Sequence, residues 1–290
     1  MLKDNDMPLL PGISRSVNGT FLGMFAILMT AAATESHAQD ADALAEMARK
    51  AQDPLGNVQA LMTDNTIAFD AGPDDDTSYG FQLQPVYAIP NNSNWNMIAR
   101  GIVPIMGFEP GVVIPPIGPE PRPPSGSDWG IGDSFFQFFF APKSDSAWKW
   151  GVGPQVSLKT RSSSRQAGPG WGGGLAGVLF GSVGDWALGA IMMQHWGEDS
   201  FSVGTLQLTG IYNLPNSPGT YIGYNNALTF NWEGTSGNKV TIPLGATVGK
   251  TLLLGNGDGL DLSAGVYGLV EKPDNAPSWQ LKLGVSYFFN

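Results

Sequence analysis

The chain contains no cysteine, and only 14% of its 290 residues are charged. Without cysteine there are neither disulfides nor thiolate metal sites. Histidine is almost as scarce: His37 falls in the N-terminal leader described below, so His195 stands alone, too few for a histidine-held metal. Bases are few as well. Removing Lys3 and Arg15 from 15 bases, and Asp4, Asp6 and Glu35 from 25 acids, leaves 13 against 22, a net charge of −9. That balance speaks against nucleic acid, whose binding depends on neutralising phosphate. Beyond the leader no apolar run reaches the ~20 residues of a membrane helix, so any spanning structure has to be built from strands. Gly170-Trp171-Gly172-Gly173-Gly174 is followed by no helix and is not a phosphate cradle. No cofactor or metal site is legible, and Asp74-Asp75-Asp76 reads as a solvated turn.

What is present begins with an address. Lys3 and Arg15 precede an apolar run over 21–33, and Ser36-His37-Ala38 supplies small residues for cleavage after Ala38. Residues 1–38 read as a secretory signal, with Met7 an alternative start to Met1. Residues 39–58 follow as a short helical segment, periplasmic or a plug. In it Leu44, Met47, Ala48 and Ala51 fall at helical spacing, and Pro54 ends the helix.

From residue 59 to 290 the pattern has period two. The final stretch is the clearest: Trp279, Leu281, Leu283, Val285, Tyr287 and Phe289 alternate with Gln280, Lys282, Gly284 and Ser286. Twelve such segments are predicted, at 59–70, 78–89, 94–107, 129–141, 148–161, 171–182, 185–197, 200–213, 219–233, 238–254, 258–270 and 278–289. Links alternate between short and longer, and the long or Pro-rich ones, such as 108–128, fall on one side. An even count with that asymmetry predicts an all-β fold, a closed transmembrane antiparallel barrel of about 12 strands in a bacterial outer membrane. Most of the nine tryptophans sit near strand ends, where indole suits the headgroup boundary.

The pleat then assigns an interior. Gln82, Gln84, Arg100, Asp133, Gln137, Lys149, Gln155, Lys159, Gln207, Asn225, Asn231, Glu233, Asp261, Gln280 and Lys282 are expected to line the lumen. Their mixed charges allow salt-bridged pillars or a polar path for a solute. Twelve strands lie between a filled barrel and an open pore, so an obstruction is expected, from 39–58 or from the Pro-rich 108–128. Serine chemistry needs a base within hydrogen-bond reach. His195 is followed by Trp196-Gly197 and has no serine beside it, so the chain is expected not to be an enzyme.

Several motifs carry a family likeness. They are Asn94-Trp95-Asn96 with Arg100 and Pro104, Gly130-Ile131-Gly132-Asp133, Trp150-Gly151-Val152-Gly153-Pro154, Pro243-Leu244-Gly245 through Lys250, and Pro273-Asp274 through Leu281. Over roughly 40–290 the chain resembles a poorly characterised family of bacterial outer-membrane barrels often labelled transporters, some of them mislabelled neuromedin U. That family lies near the MetA-pathway barrels of phenol degradation. The resemblance implies a porin-like, Gram-negative outer-membrane protein passing small solutes, hydrophobic or aromatic ones among them. The alternative is a sealed structural or partner-binding barrel. Expected partners are outer-membrane lipid and lipopolysaccharide, the barrel-assembly machinery acting on strand 279–289, and a small solute.

Overall fold

The computed structural model describes residues 41–72, 75–90, 94–108, 128–144, 146–163, 166 and 168–289. The leader 1–38 and most of the Pro-rich link, 109–127, lie outside the described residues.

Among the described residues one helix precedes thirteen strands. α1 (Ala41–Gln52) has Asp42 in its first turn and Arg49 and Lys50 in its last, which complements the helix dipole. A Glu46–Lys50 ion pair of 2.9 Å spans one turn on its outer face. Leu44, Met47 and Ala48 form the buried stripe, and the chain leaves the helix before Asp53-Pro54.

Thirteen strands follow: β1 (Gln59–Ala71), β2 (Asp76–Ile89), β3 (Trp95–Phe108), β4 (Asp128–Ile131), β5 (Ser134–Pro142), β6 (Trp148–Leu158), β7 (Gly172–Val183), β8 (Trp186–Trp196), β9 (Ser202–Asn213), β10 (Thr220–Asn231), β11 (Val240–Leu253), β12 (Gly259–Glu271) and β13 (Trp279–Phe289). Each pairs antiparallel with its neighbours, and β1 pairs with both β2 and β13, so the sheet closes on itself. β4 and β5 both pair with β3 and make one stave of a twelve-stave barrel. The sequence treats 129–141 as one strand. The structure breaks it at Gly132-Asp133, where the pairing sum with β3 slips by one residue between Ile105↔Ile131 and Ile102↔Phe135. This bulge flips the alternation, so Trp129 and Ile131 point outward before it and Phe136, Phe138 and Phe140 after it.

The wall is apolar outside. All nine tryptophans are exposed, from Trp279 at 39% to Trp129 at 64%. They form two girdles. Trp95, Trp148, Trp150 and Trp186 ring the end with short turns, and Trp129, Trp171, Trp196, Trp232 and Trp279 ring the end with longer loops. Between the girdles stand exposed Leu175, Leu179, Met192, Ile222, Leu244, Val248 and Val266. The interior holds the polar residues, among them Gln84, Gln137, Gln155, Thr251 and Gln280. This inverted distribution suits a wall in contact with lipid hydrocarbon.

Candidate functional site: the barrel lumen

The lumen has two unlike halves. On the side of β3, β5, β7 and β8, the inward residues Ile98, Phe139, Ala141, Ala176, Val178 and Ile191 form an apolar cluster completed by Leu55, which is 1% exposed. Leu55 follows α1, so the N-terminal segment enters the barrel and fills that half. Sequence reasoning missed this cluster. Its signal is the run Phe135-Phe136-Gln137-Phe138-Phe139-Phe140, apolar on both faces of one strand.

α1 itself closes the short-turn end. Met47 packs with Ala60 and Phe288, while Leu44 lies over Gly219, where a Cβ would come within 3.2 Å of its Cγ. Gly219 also has a φ of +76°, so the turn needs glycine twice over. Gln52 and Asn213 exchange amide hydrogen bonds of 2.8 and 3.1 Å, and Lys149 Nζ meets Asp53 Oδ2 at 2.6 Å.

A cavity of about 300 Å³ runs between the halves, lined by β1, β2 and β9–β13 on one side and by Ile98, Phe139 and Ile191 of the apolar cluster on the other. Of the residues read as inward-facing, Gln82, Gln84, Arg100, Gln207, Asn225, Asp261, Gln280 and Lys282 line it. Arg100 donates to Gln84 Oε1 (2.5 Å), Gln84 to Gln82 (2.8 Å) and Gln207 to Asn225 (3.1 Å). Lys282 pairs with Asp64 at 2.8 Å. Asp261 is held by two hydroxyls, Tyr221 at 2.8 Å and Thr251 at 2.7 Å. Gln137 and Gln155 lie buried together, Gln137 Nε2 donating to Gln155 Oε1 at 3.0 Å. Asp64 was legible from the alternation Ala60, Met62, Asp64, Thr66 along β1.

The remaining inward assignments lie near the ends of the staves. Lys149 sits with Asp53 at the short-turn mouth. Asn231 is buried near the long-loop end of β10, and its side chain accepts a hydrogen bond from the Glu233 amide at 3.2 Å. β6 stops at Leu158 and β10 at Asn231, short of the predicted ends, so Lys159 and Glu233 fall outside their strands and Glu233 is exposed. Lys159 reaches Glu198 at 2.6 Å, and its hydrogen bond holds that carboxyl below its ordinary pKa.

Asp133 occupies the bulge and is fully buried. It accepts from the backbone of Gly170 (2.7 Å) and Arg161 (3.2 Å) and pairs with the Arg161 guanidinium at 3.3 Å. Thr160 ties to Ser134 and Gly132 beside it. These bonds turn the chain away from the ladder after Leu158 and seat the described parts of the link, 159–163 and 168–171, on the long-loop end. Asp133→Ala leaves the Arg161 charge, 15% exposed, without this partner. We expect a loss of about 3–5 kcal/mol in denaturant titration, with proteolysis of 159–171 preceding loss of the barrel.

The expectation of no serine near His195 fails in three dimensions. Ser157 Oγ stands 2.9 Å from His195 Nε2, across β7, and lies 2.8 Å from the carbonyl of Gly170. Gly172 between them permits the approach, since a Cβ there would lie 2.8 Å from Ser157 Oγ and 2.9 Å from His195 Nε2. Sequence distance hid the pair, because residues 38 apart become neighbours only through the register of β6, β7 and β8. Both side chains are buried, and His195 Nδ1 has no partner.

A closed antiparallel wall with an apolar exterior, two tryptophan girdles and a polar interior is an outer-membrane β-barrel. Comparison with solved structures agrees. The COG4313 outer membrane channel from Pseudomonas putida F1 is similar at TM-score 0.56 and 15% identity, over 80% of this chain and 96% of that one. Outer membrane phospholipase A from Escherichia coli matches at TM-score 0.41 and 13% identity, over 87% and 99% of the two chains. OccK11 (OpdR) from Pseudomonas aeruginosa matches at 0.36 and 9%, over 80% and 96%. At these identities the likeness is one of fold. No protein-family profile matches the chain, and no curated protein does. The expectation that the chain is not an enzyme is corrected here: its premise, no serine within reach of His195, fails at the 2.9 Å Ser157–His195 contact, and an outer membrane phospholipase is among the matched structures.

Proposed function

We propose that the protein is a passive outer-membrane channel for small solutes, with the short-turn end and α1 facing the periplasm. The observation that carries this reading is the cavity of about 300 Å³ inside a barrel whose apolar exterior belongs in lipid. Its charged lining finds partners within the wall, Lys282 with Asp64, Arg100 with Gln84 Oε1 and Asp261 with the Tyr221 and Thr251 hydroxyls, which leaves room beside them. The resemblance to barrels labelled transporters, and the fold shared with the Pseudomonas putida outer membrane channel, support the same reading. Hydrophobic or aromatic solutes fit the apolar side of that cavity, where Ile98, Phe139 and Ile191 line it.

A second reading, a sealed structural or partner-binding barrel, is favoured by one observation, the seating of α1 in the short-turn mouth. Planar-bilayer recording separates them. The refolded mature protein is expected to give repeated unitary current steps. Silence from protein whose gel migration still shifts on heating rejects the channel.

A further inference from the structure

The wall has a seam. β10 and β11 pair regularly from Thr220↔Lys250 to Gly223↔Thr247, and then not again until Thr229↔Thr241. Five residues on each strand, 224–228 and 242–246, therefore lack ladder pairing across this one boundary, while their other sides stay paired to β9 and β12. The cause is in the sequence: Pro243 has no N–H to give, and a one-residue shift against β12 falls between Ile242 and Pro243. Other prolines in the wall do less. At Pro85 and at Pro154 the ladder skips only two residues per strand.

Unpaired backbone in a bilayer has to find partners within the protein. Here two tyrosines supply them. Tyr224 donates its hydroxyl to the Pro243 carbonyl at 2.8 Å, while the Tyr267 hydroxyl sits 3.3 Å from the Asn225 amide and 3.2 Å from its carbonyl. By alternation Tyr224 belongs to the outer face, with exposed Ile222, whereas Tyr267 is 1% exposed and lines the cavity. The two rings nevertheless meet edge to face, 5.7 Å apart at 87°. They touch through the wall, and the seam is stoppered by side chains instead of ladder bonds.

The cavity reaches this place. Asn226 and Pro243 lie on its boundary; Asn226 shares the parity of Tyr224, yet it is only 5% exposed, and its Nδ2 has no hydrogen-bond partner. Nearby, Thr229 Oγ1 is likewise buried and unpartnered. Outside the seam the wall is apolar, with Leu244 at 55% exposure and Val248 at 43%.

We infer that the β10–β11 seam is a lateral portal, through which an amphipathic solute with an apolar body and one hydrogen-bond acceptor passes between the lumen and the bilayer. The unpartnered Asn226 amide receives the acceptor, and the Tyr224–Tyr267 pair swings aside. Moving two side chains breaks three hydrogen bonds and exposes no ladder, since none is formed there. The inference rests on the channel reading and adds a route to it.

The test uses the whole mature protein and prodan, a naphthalene ketone whose emission shifts when it reaches hydrocarbon. Uptake is followed in cells with an intact lipopolysaccharide leaflet, and ion conductance in planar bilayers. Leu228→Cys with Ile242→Cys, opposite each other in the register, closes the seam on oxidation, and the chain has no other cysteine to interfere. If the bond does not form, Asn226→Trp fills the same gap. Closure is expected to cut prodan uptake about tenfold while conductance stays at the parent level, and Tyr267→Ala is expected to raise uptake. Uptake unchanged on closure, with conductance intact, overturns the portal and leaves the channel. A parent protein that neither conducts nor takes up prodan overturns both.

Discussion

Met192→Arg is expected to destabilise the folded barrel by about 2–4 kcal/mol, the cost of a cation at the bilayer midplane. Met192 lies midway along β8 between Trp186 and Trp196, one from each girdle, and is 65% exposed on the outer face. Its neighbour Ile191 points inward and is buried. Gln207→Arg, on the cavity side of the adjacent β9, places the same charge among the Asn225 and Thr209 side chains and is expected to cost far less. Reversible guanidinium unfolding from phospholipid vesicles measures both. Equal losses at the two positions would sink the assignment of the two faces.

Removing residues 41–56 is expected to raise single-channel conductance several-fold without unfolding the wall. The twelve staves close on their own ladder, and β1 begins only at Gln59. What is lost is the filling: Leu55 from the apolar half, Met47 from its place against Phe288, and the Asp53 carboxylate from Lys149. A smaller perturbation makes the same point. Asp53→Ala frees Lys149, which is 38% exposed, and should increase the frequency of open events more than their size. If the truncated barrel keeps its heat-modifiable migration and the parent conductance, α1 is not the obstruction.

The wall was legible residue by residue. Period-two alternation is a local property, because successive residues of a strand face opposite sides whatever the rest of the chain does. Eleven staves begin and end within about three residues of where the alternation and turn residues place them, and the tryptophans mark the boundaries. α1 was equally legible, since its apolar spacing and Pro54 are local signals. The bulge at Gly132-Asp133 was not, because alternation on either side of it looks continuous until the partner strand shows a shift of one residue.

The contacts inside the barrel came from its three-dimensional closure. Facing inward does not say which inward residues meet. Asp133 is paired by Arg161 and Lys149 by Asp53, neither partner having been read as inward, and Lys159 and Glu233 lie past the ends of their strands. Ser157 reaches His195, and Tyr267 reaches Asn225, through the register of three successive staves in each case. Register sums hydrogen bonds along whole strands, so it fixes contacts between residues 38 or 42 positions apart that no local pattern encodes. The same reason explains Leu55. Its place in the apolar half follows from where α1 enters a closed barrel, and closure is a property of all twelve staves together.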